Sequence, residues 1–188
     1  MQSRELIEFL GIIGKLKLNT RHVWAEGGRQ ESVAEHCFRL AIMALLVADE
    51  FPGVDIEKVV KMCLIHDFGE ALTGDIPSFL KTKKDEEKED IAIAELLSNL
   101  PESTSDELTA LFAEMAQLRT VEARMFKALD KLEAIVSHNE SPLGTWLELE
   151  YTENLIYGEE EAAQFEYLAQ LREELKKDSI RKIEEGEE

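Results

Sequence analysis

An all-α fold, a compact helical bundle in a single domain, is what three features of this sequence predict. Apolar residues recur at helical spacing along almost the whole chain. No stretch shows the alternating, β-branched, turn-punctuated pattern of strands. The length, 188 residues, suits one sizeable core better than two.

Leu6, Phe9, Leu10, Ile13 and Leu16 form the first apolar stripe. The polar, Gly-containing stretch Asn19 to Glu31 follows and reads as a functional loop. Ser32 with Glu35 three residues later is a capping box that opens a second helix, which stops before Phe51-Pro52-Gly53. Asp55 is an N-cap for a third helix, from Ile56 to about Leu72, ended by Thr73-Gly74. A fourth is expected from about Asp85 to Leu100, closed by Pro101, and a fifth from a cap within Ser103 to Ser105 to about Leu118. The sixth spans Val121 to about His138 and is broken by Ser141-Pro142 and Gly144. Two further helical stretches, Trp146 to Tyr157 and Glu159 to Lys177, complete the domain, and the charged end from Lys176 to Glu188 is expected to fray. No internal repeat, low-complexity linker or sustained heptad interrupts this plan.

The formal charge of −19 is unusual beside an ordinary 44% apolar and 32% charged content. So acidic a surface repels a phosphate backbone, which argues against binding long nucleic acid. A small anionic substrate must then be drawn in by a local cluster of cations or a metal. No apolar run approaches the roughly 20 residues that span a bilayer, and the N-terminus lacks a secretory cleavage site. Cys37 and Cys63 are too few and too far apart for a disulfide framework or thiolate metal site. A reducing, cytoplasmic location and no membrane partner are expected.

The chemistry concentrates at the end of the third helix. After the apolar run Met62-Cys63-Leu64-Ile65 comes His66-Asp67-Phe68-Gly69-Glu70. Desolvating adjacent His and Asp is costly unless something compensates them, and a divalent ion does so. Glu70, three and four positions on, shares their helix face and is placed to act on a water beside such an ion. Alone, the pair more readily fits a satisfied core histidine with a neighbouring helix carboxylate. His36, among Val33, Ala34, Cys37 and Leu40, and Asp130, within Phe126-Lys127-Ala128-Leu129-Asp130-Lys131-Leu132, add two candidates in apolar settings.

The order His, then His-Asp, then Asp on successive helices resembles the HD-domain superfamily of metal-dependent phosphohydrolases, and most of all its 5′-deoxynucleotidase branch. The matching segments are Glu31 to His36, Leu64 to Ile76 and Lys127 to Lys131; the second is the most specific, since it runs through Glu70 to Thr73-Gly74-Asp75. The resemblance covers about Leu6 to Glu140. It implies one HD domain over 1–188, with the metal core at about 30–135 and C-terminal helices at about 145–180 packed on it.

The resemblance further implies His36, His66, Asp67 and Asp130 as ligands of one divalent ion (Mn, Co, Fe, Ni, Zn or Mg), Glu70 as the catalytic acid beside it, and Asp75 near the sugar or leaving oxygen. Arg21 matches an arginine that touches the substrate phosphate. In bacterial members a Trp follows that arginine directly and helps exclude a 2′-hydroxyl; here the order is Arg21-His22-Val23-Trp24, as in other branches. Trp24 and Lys127 join Arg21 as candidate substrate contacts, with ion pairing to Glu133 or Glu122 the plain alternative for Lys127. The implied activity is hydrolysis of (deoxy)nucleoside 5′-monophosphates to nucleoside and phosphate by a homodimer. The alternatives are an HD hydrolase of another phosphoester (a cyclic nucleotide, a nucleoside triphosphate or an alarmone) and a non-catalytic nucleotide sensor.

Other residues read more simply. Cys37 and Cys63 fit packing positions. His22 is a surface histidine or a contact to phosphate or base, and His138 suits a helix C-terminus. Lys81, Lys83 and Lys84 read as a solvated loop-to-helix face. Trp146, Tyr151, Leu147 and Leu155 form a packing stripe that is also suited to a dimer interface.

Overall fold

The fold was described from a computed structural model, which describes residues 1–25, 27–77 and 80–186. The first stripe forms α1 (Ser3–Ile13), continued by a 3-10 turn over Gly14–Lys17 that buries Leu16. α2 (Val33–Leu46) starts where its capping box directs: the Ser32 hydroxyl accepts the Glu35 amide at 3.3 Å and the Glu35 carboxylate accepts the Ser32 amide at 2.9 Å. Val33, His36, Cys37, Leu40, Ala41 and Ala44 make its buried stripe. α3 (Ile56–Ile65) is capped by Asp55, whose carboxylate accepts the Lys58 amide at 3.1 Å. α4 (Glu70–Thr73), α5 (Lys83–Ser98) and α6 (Glu102–Gln117) follow.

α7 (Val121–Glu140) is the axis of the molecule. It packs against α2 and α3 on one side and against the C-terminal helices on the other. Leu40, Met62, Leu129 and Leu132 meet at this junction with essentially no exposed surface. Burial of each contributes roughly 1.5–3 kcal/mol. The chain ends in α8 (Glu150–Ile156), α9 (Glu159–Ala162) and α10 (Glu166–Glu185). The buried Arg172 of α10 donates to the carbonyls of Tyr157 at 2.7 Å and Asn154 at 3.1 Å, which ties α10 to the end of α8.

The all-α expectation holds, with departures in detail. The stretch Asn19 to Glu31 is a small antiparallel hairpin of β1 (Thr20–Trp24) and β2 (Gln30–Ser32) and not an irregular loop. Only Val23 of β1 is buried, so these polar strands carry no alternation to read. The third helix does not run on to Leu72. It stops at Ile65, and the chain tightens into three-residue turns, with the amides of Phe68 and Glu70 bonded to the carbonyls of Ile65 and Asp67 at 2.9 and 3.0 Å. The stretch expected over Glu159–Lys177 is split at Phe165, whose extended backbone sends its ring against Phe51, centroids 5.7 Å apart. The charged end does not fray where expected: α10 is helical through Glu185, held by Ser179, which donates to the Asn139 side chain at 2.7 Å. Residues 187 and 188 lie outside the described residues.

Gly69 is where α4 meets α5 most closely. A Cβ built there would lie 2.6 Å from Glu89 Cγ and 3.2 Å from the Glu89 carbonyl oxygen. Gly69→Ala must push α5 away, and should cost about 1–3 kcal/mol in chemical denaturation with an unchanged denaturant slope.

Candidate metal centre

Three elements carry the four candidate ligands to one point. α2 presents His36, the turn after α3 presents His66 and Asp67, and α7 presents Asp130. His36 Nε2 lies 3.3 Å from His66 Nε2, 3.3 Å from Asp130 Oδ1 and 3.8 Å from Asp67 Oδ2. His66 Nε2 lies 3.1 Å from Asp67 Oδ2 and 3.7 Å from Asp130 Oδ1. Ligand atoms of His36, His66 and Asp67 all fall within 4.8 Å of one another.

The other face of each imidazole is already engaged. His66 Nδ1 donates to the Cys63 carbonyl at 2.9 Å, and His36 Nδ1 donates to the Glu133 carboxylate. With the N–H on Nδ1, each Nε2 is left as a lone pair, and the two lone pairs face each other among carboxylates. Only a positive charge relieves that arrangement. Burial, and for His36 also Arg21, disfavours a proton on these rings. The carboxylates outweigh this and raise both pKa values: Asp130 and Glu133 for His36, Asp67 for His66. Nitrogen and carboxylate donors around one point fit a divalent ion of the first transition row.

The ligands sit in the wall of a cleft of about 760 Å³, which Glu70, Asp75, Arg21, Lys81 and Lys127 also line. Glu70 opens α4 and is buried, with Oε2 unpartnered among the described residues. Burial first, then the charges of Asp67, Asp75 and Glu89, push its carboxyl up to about 10. Gly74 makes the turn to Asp75 at φ +79°, ψ 162°, backbone that L side chains disfavour.

The candidate substrate contacts fall differently. Arg21 donates to Glu31 at 2.7 Å and lies 3.3 Å from Glu133, so it reaches the cleft already paired. Lys127 pairs with Asp130 Oδ2 at 2.9 Å and not with Glu133 or Glu122. Lys81 lines the cleft in an ion pair with Glu89, whereas the nearby Lys83 and Lys84 are exposed at the start of α5. Trp24 is not in the cleft wall. It packs edge-on against His22, centroids 4.8 Å apart, and the wall is formed there by His22 and Val23.

Sequence reasoning missed Glu133. Its carboxylate also accepts from Arg39 Nε at 2.6 Å and Ser137 Oγ at 3.0 Å. Burial opposes its charge, but the bond to His36 and then the charges of His36, Arg21 and Arg39 bring it down to about 2. The available signal was an acidic residue between Leu132 and Ala134-Ile135 on the buried stripe of α7. His138 also departs from expectation: burial pushes it down to about 4, so it is a neutral cleft residue and not a helix-terminal cation. Cys37 and Cys63 are buried free thiols.

A helical bundle that gathers two histidines and two aspartates beside a buried glutamate with an unpartnered oxygen among the described residues defines a helical protein with a candidate metal centre. A family model described as an HD domain matches residues 13–172. The chain is 34% identical over 142 residues to the Bos taurus 5'-deoxynucleotidase HDDC2, covering 73% of this chain and 68% of the relative. It is 35% identical over 140 residues to the Dictyostelium discoideum protein of the same name, covering 69% and 74%. The solved structure of a predicted metal-dependent phosphohydrolase from Magnetospirillum magnetotacticum MS-1 is similar over 95% of this chain and 92% of that one, with 30% identity and a TM-score of 0.79. The chain belongs to the HD domain family of metal-dependent phosphohydrolases.

The histidine environment has a measurable consequence. His138 takes up a proton near 6.5 when unfolded but only near 4 when folded. As pH falls between these values the unfolded chain binds the proton first, so stability drops through this window. The loss should be on the order of 2–3 kcal/mol, and denaturation midpoints for His138→Gln should show a shallower slope from pH 6.5 to 4.

Proposed function

We propose that this protein hydrolyses deoxynucleoside 5′-monophosphates to nucleoside and phosphate, using one divalent metal ion held by His36, His66, Asp67 and Asp130. The observation that carries this reading is the convergence of that donor set with Glu70 and Asp75 on the wall of one cleft. The relatives named 5'-deoxynucleotidases supply the substrate class.

A phosphate monoester resists attack because the nucleophile meets negative charge, so catalysis is mainly neutralisation and positioning. The bound ion would lower the pKa of a water and polarise a phosphate oxygen. Glu70 Oε2 has no competing partner among the described residues and is free to hold the attacking water; a bound cation would offset the charges that raise its carboxyl and let it take the water's proton. Asp75, whose carboxyl is raised first by burial, suits delivery of a proton to the leaving nucleoside oxygen. Arg21 and Lys127 supply positive charge for the remaining phosphate oxygens. The Glu31 and Glu133 contacts of Arg21 fix the angle of its guanidinium.

The reading includes a homodimer in the cytoplasm. The C-terminal stripe is an unsuitable interface, because Trp146 is buried and donates to the His138 carbonyl at 3.0 Å. Better support comes from α1 and α2, where Leu6, Ile7, Leu10, Phe38, Leu45 and Leu46 are exposed. Two buried free thiols fit a reducing compartment.

Metal-stripped protein should release no phosphate from deoxynucleoside monophosphates and should recover on addition of Mn, Co or another first-row ion. Glu70→Gln should lower kcat about 100-fold or more while the metal still raises Tm; Asp67→Ala should lose both effects. If metal binding persists but no ion restores turnover, the monophosphatase reading fails. Phe38→Asp with Leu46→Asp should halve the mass seen by light scattering; an unchanged mass would move the interface elsewhere.

A further inference from the structure

The far end of the cleft contains a second polar cluster that the metal chemistry does not use. His22 on β1, His138 on α7, and Glu150 and Asn154 on α8 line it. Glu150 and Asn154 are 2% and 4% exposed, yet Glu150 Oε1, Asn154 Nδ2 and His22 Nε2 have no hydrogen-bond partner among the described residues. They are not satisfied by one another: His22 Nε2 is 3.7 Å from Glu150 Oε2, and His138 Nε2 is 3.7 Å from Glu150 Oε1. Buried polar groups of this kind are costly unless something completes them.

Hydrogen-bond bookkeeping states what is missing. His138 Nδ1 donates to Asn154 Oδ1 at 3.0 Å, so its Nε2 is a lone pair. Glu150 Oε2 accepts the Leu147 amide at 2.6 Å, which leaves Oε1 as a second acceptor facing that lone pair. Two acceptors this close suit a donor placed between them, such as a group with two N–H bonds. Beside them Asn154 Nδ2 calls for an acceptor. An exocyclic amino group next to a ring nitrogen has this arrangement.

The position suits a nucleotide held at the metal. Asp130 and His138 both face the cleft from α7, eight residues apart, a rise of about 12 Å. Ala134, one turn from each, lines the cleft between them. A phosphate at the Asp130 end would direct its nucleoside along α7 toward His138.

We infer that His138, Glu150 and Asn154 form a nucleobase-reading recess selective for the amino-bearing edge of adenine or cytosine. The inference rests on the nucleotidase reading and specifies its substrates. The exocyclic amino group donates to Glu150 Oε1 and His138 Nε2, while the adjacent ring nitrogen accepts from Asn154. Thymine offers a carbonyl to the two acceptors and an N–H to the Asn154 amide, and is disfavoured at both points.

The test is kcat/KM of the metal-loaded protein for dAMP, dCMP, dTMP and deoxyribose 5-phosphate, which has no base. The wild type should prefer dAMP and dCMP to dTMP by about ten-fold or more. Glu150→Gln keeps an oxygen for the Leu147 amide but sets a donor where the acceptor stood. It should lower the dCMP-to-dTMP ratio by about ten-fold and lower dCMP relative to deoxyribose 5-phosphate. Thermal shifts with free deoxycytidine and thymidine should show the same reversal without turnover. A wild type indifferent to the base, or a Glu150→Gln protein slowed equally on all four substrates, overturns the recess while leaving the nucleotidase standing. Hydrolysis of deoxyribose 5-phosphate with none of any nucleotide removes the substrate reading and the recess together.

Discussion

Glu133 sits inside the bundle on α7, and its carboxylate accepts from His36, Arg39 and Ser137 with Arg21 close by. An isolated buried carboxylate is among the most expensive groups a protein can hold, and this one is compensated by the four side chains that meet on it. The hydrogen bond to His36 Nδ1 turns Nε2 toward the ligand point. The contact with Arg21 anchors the β hairpin against α7, and the bond to Arg39 joins α2 to α7 a turn beyond His36. Without Glu133, a histidine, two arginines and a serine would lose their common partner, and the ligand set would lose its geometry.

The same economy governs the whole cleft. The chain has 40 acidic and 21 basic residues, yet Arg21, Lys81 and Lys127 all reach this one cavity. Each is paired there with a carboxylate: Glu31, Glu89 and Asp130 respectively. These pairs hold the cations in place in the cleft, and the acidic exterior repels polyanions from the rest of the surface. Among the described residues, the cleft atoms left without partners, Glu70 Oε2 near the candidate ligands and Glu150 Oε1, Asn154 Nδ2 and His22 Nε2 at the far end, mark where polar completion is missing.

Much of the frame was legible because local rules coincide with the global fold. Ser32 with Glu35, and Asp55, each cap the helix that their chemistry favours. The candidate ligands stood out because His and Asp in apolar helix stretches demand compensation. Other features lacked a local signal. The hairpin is nearly all polar, with Val23 its one buried apolar residue, so no periodicity betrays it. Glu133 reads as a helix carboxylate until α2 is seen to bring His36 and Arg39 against it. The break after Ile65 is marked only by the weak helix formers His66 to Gly69, and it falls where His66 and Asp67 meet the cleft.

The sequence by itself determined the helical class, the principal caps and the residue types able to hold a metal, because each depends on spacing within one or two turns of chain. Tertiary structure decided which nitrogen of each histidine faces the ligand point, that Arg21 arrives already bound to carboxylates, and that His138, Glu150 and Asn154 share a recess. Those outcomes depend on contacts between residues up to 112 positions apart, as between Arg21 and Glu133. A side chain's protonation and free hydrogen-bonding capacity follow from the groups that packing brings to it, and spacing along the chain carries no record of them.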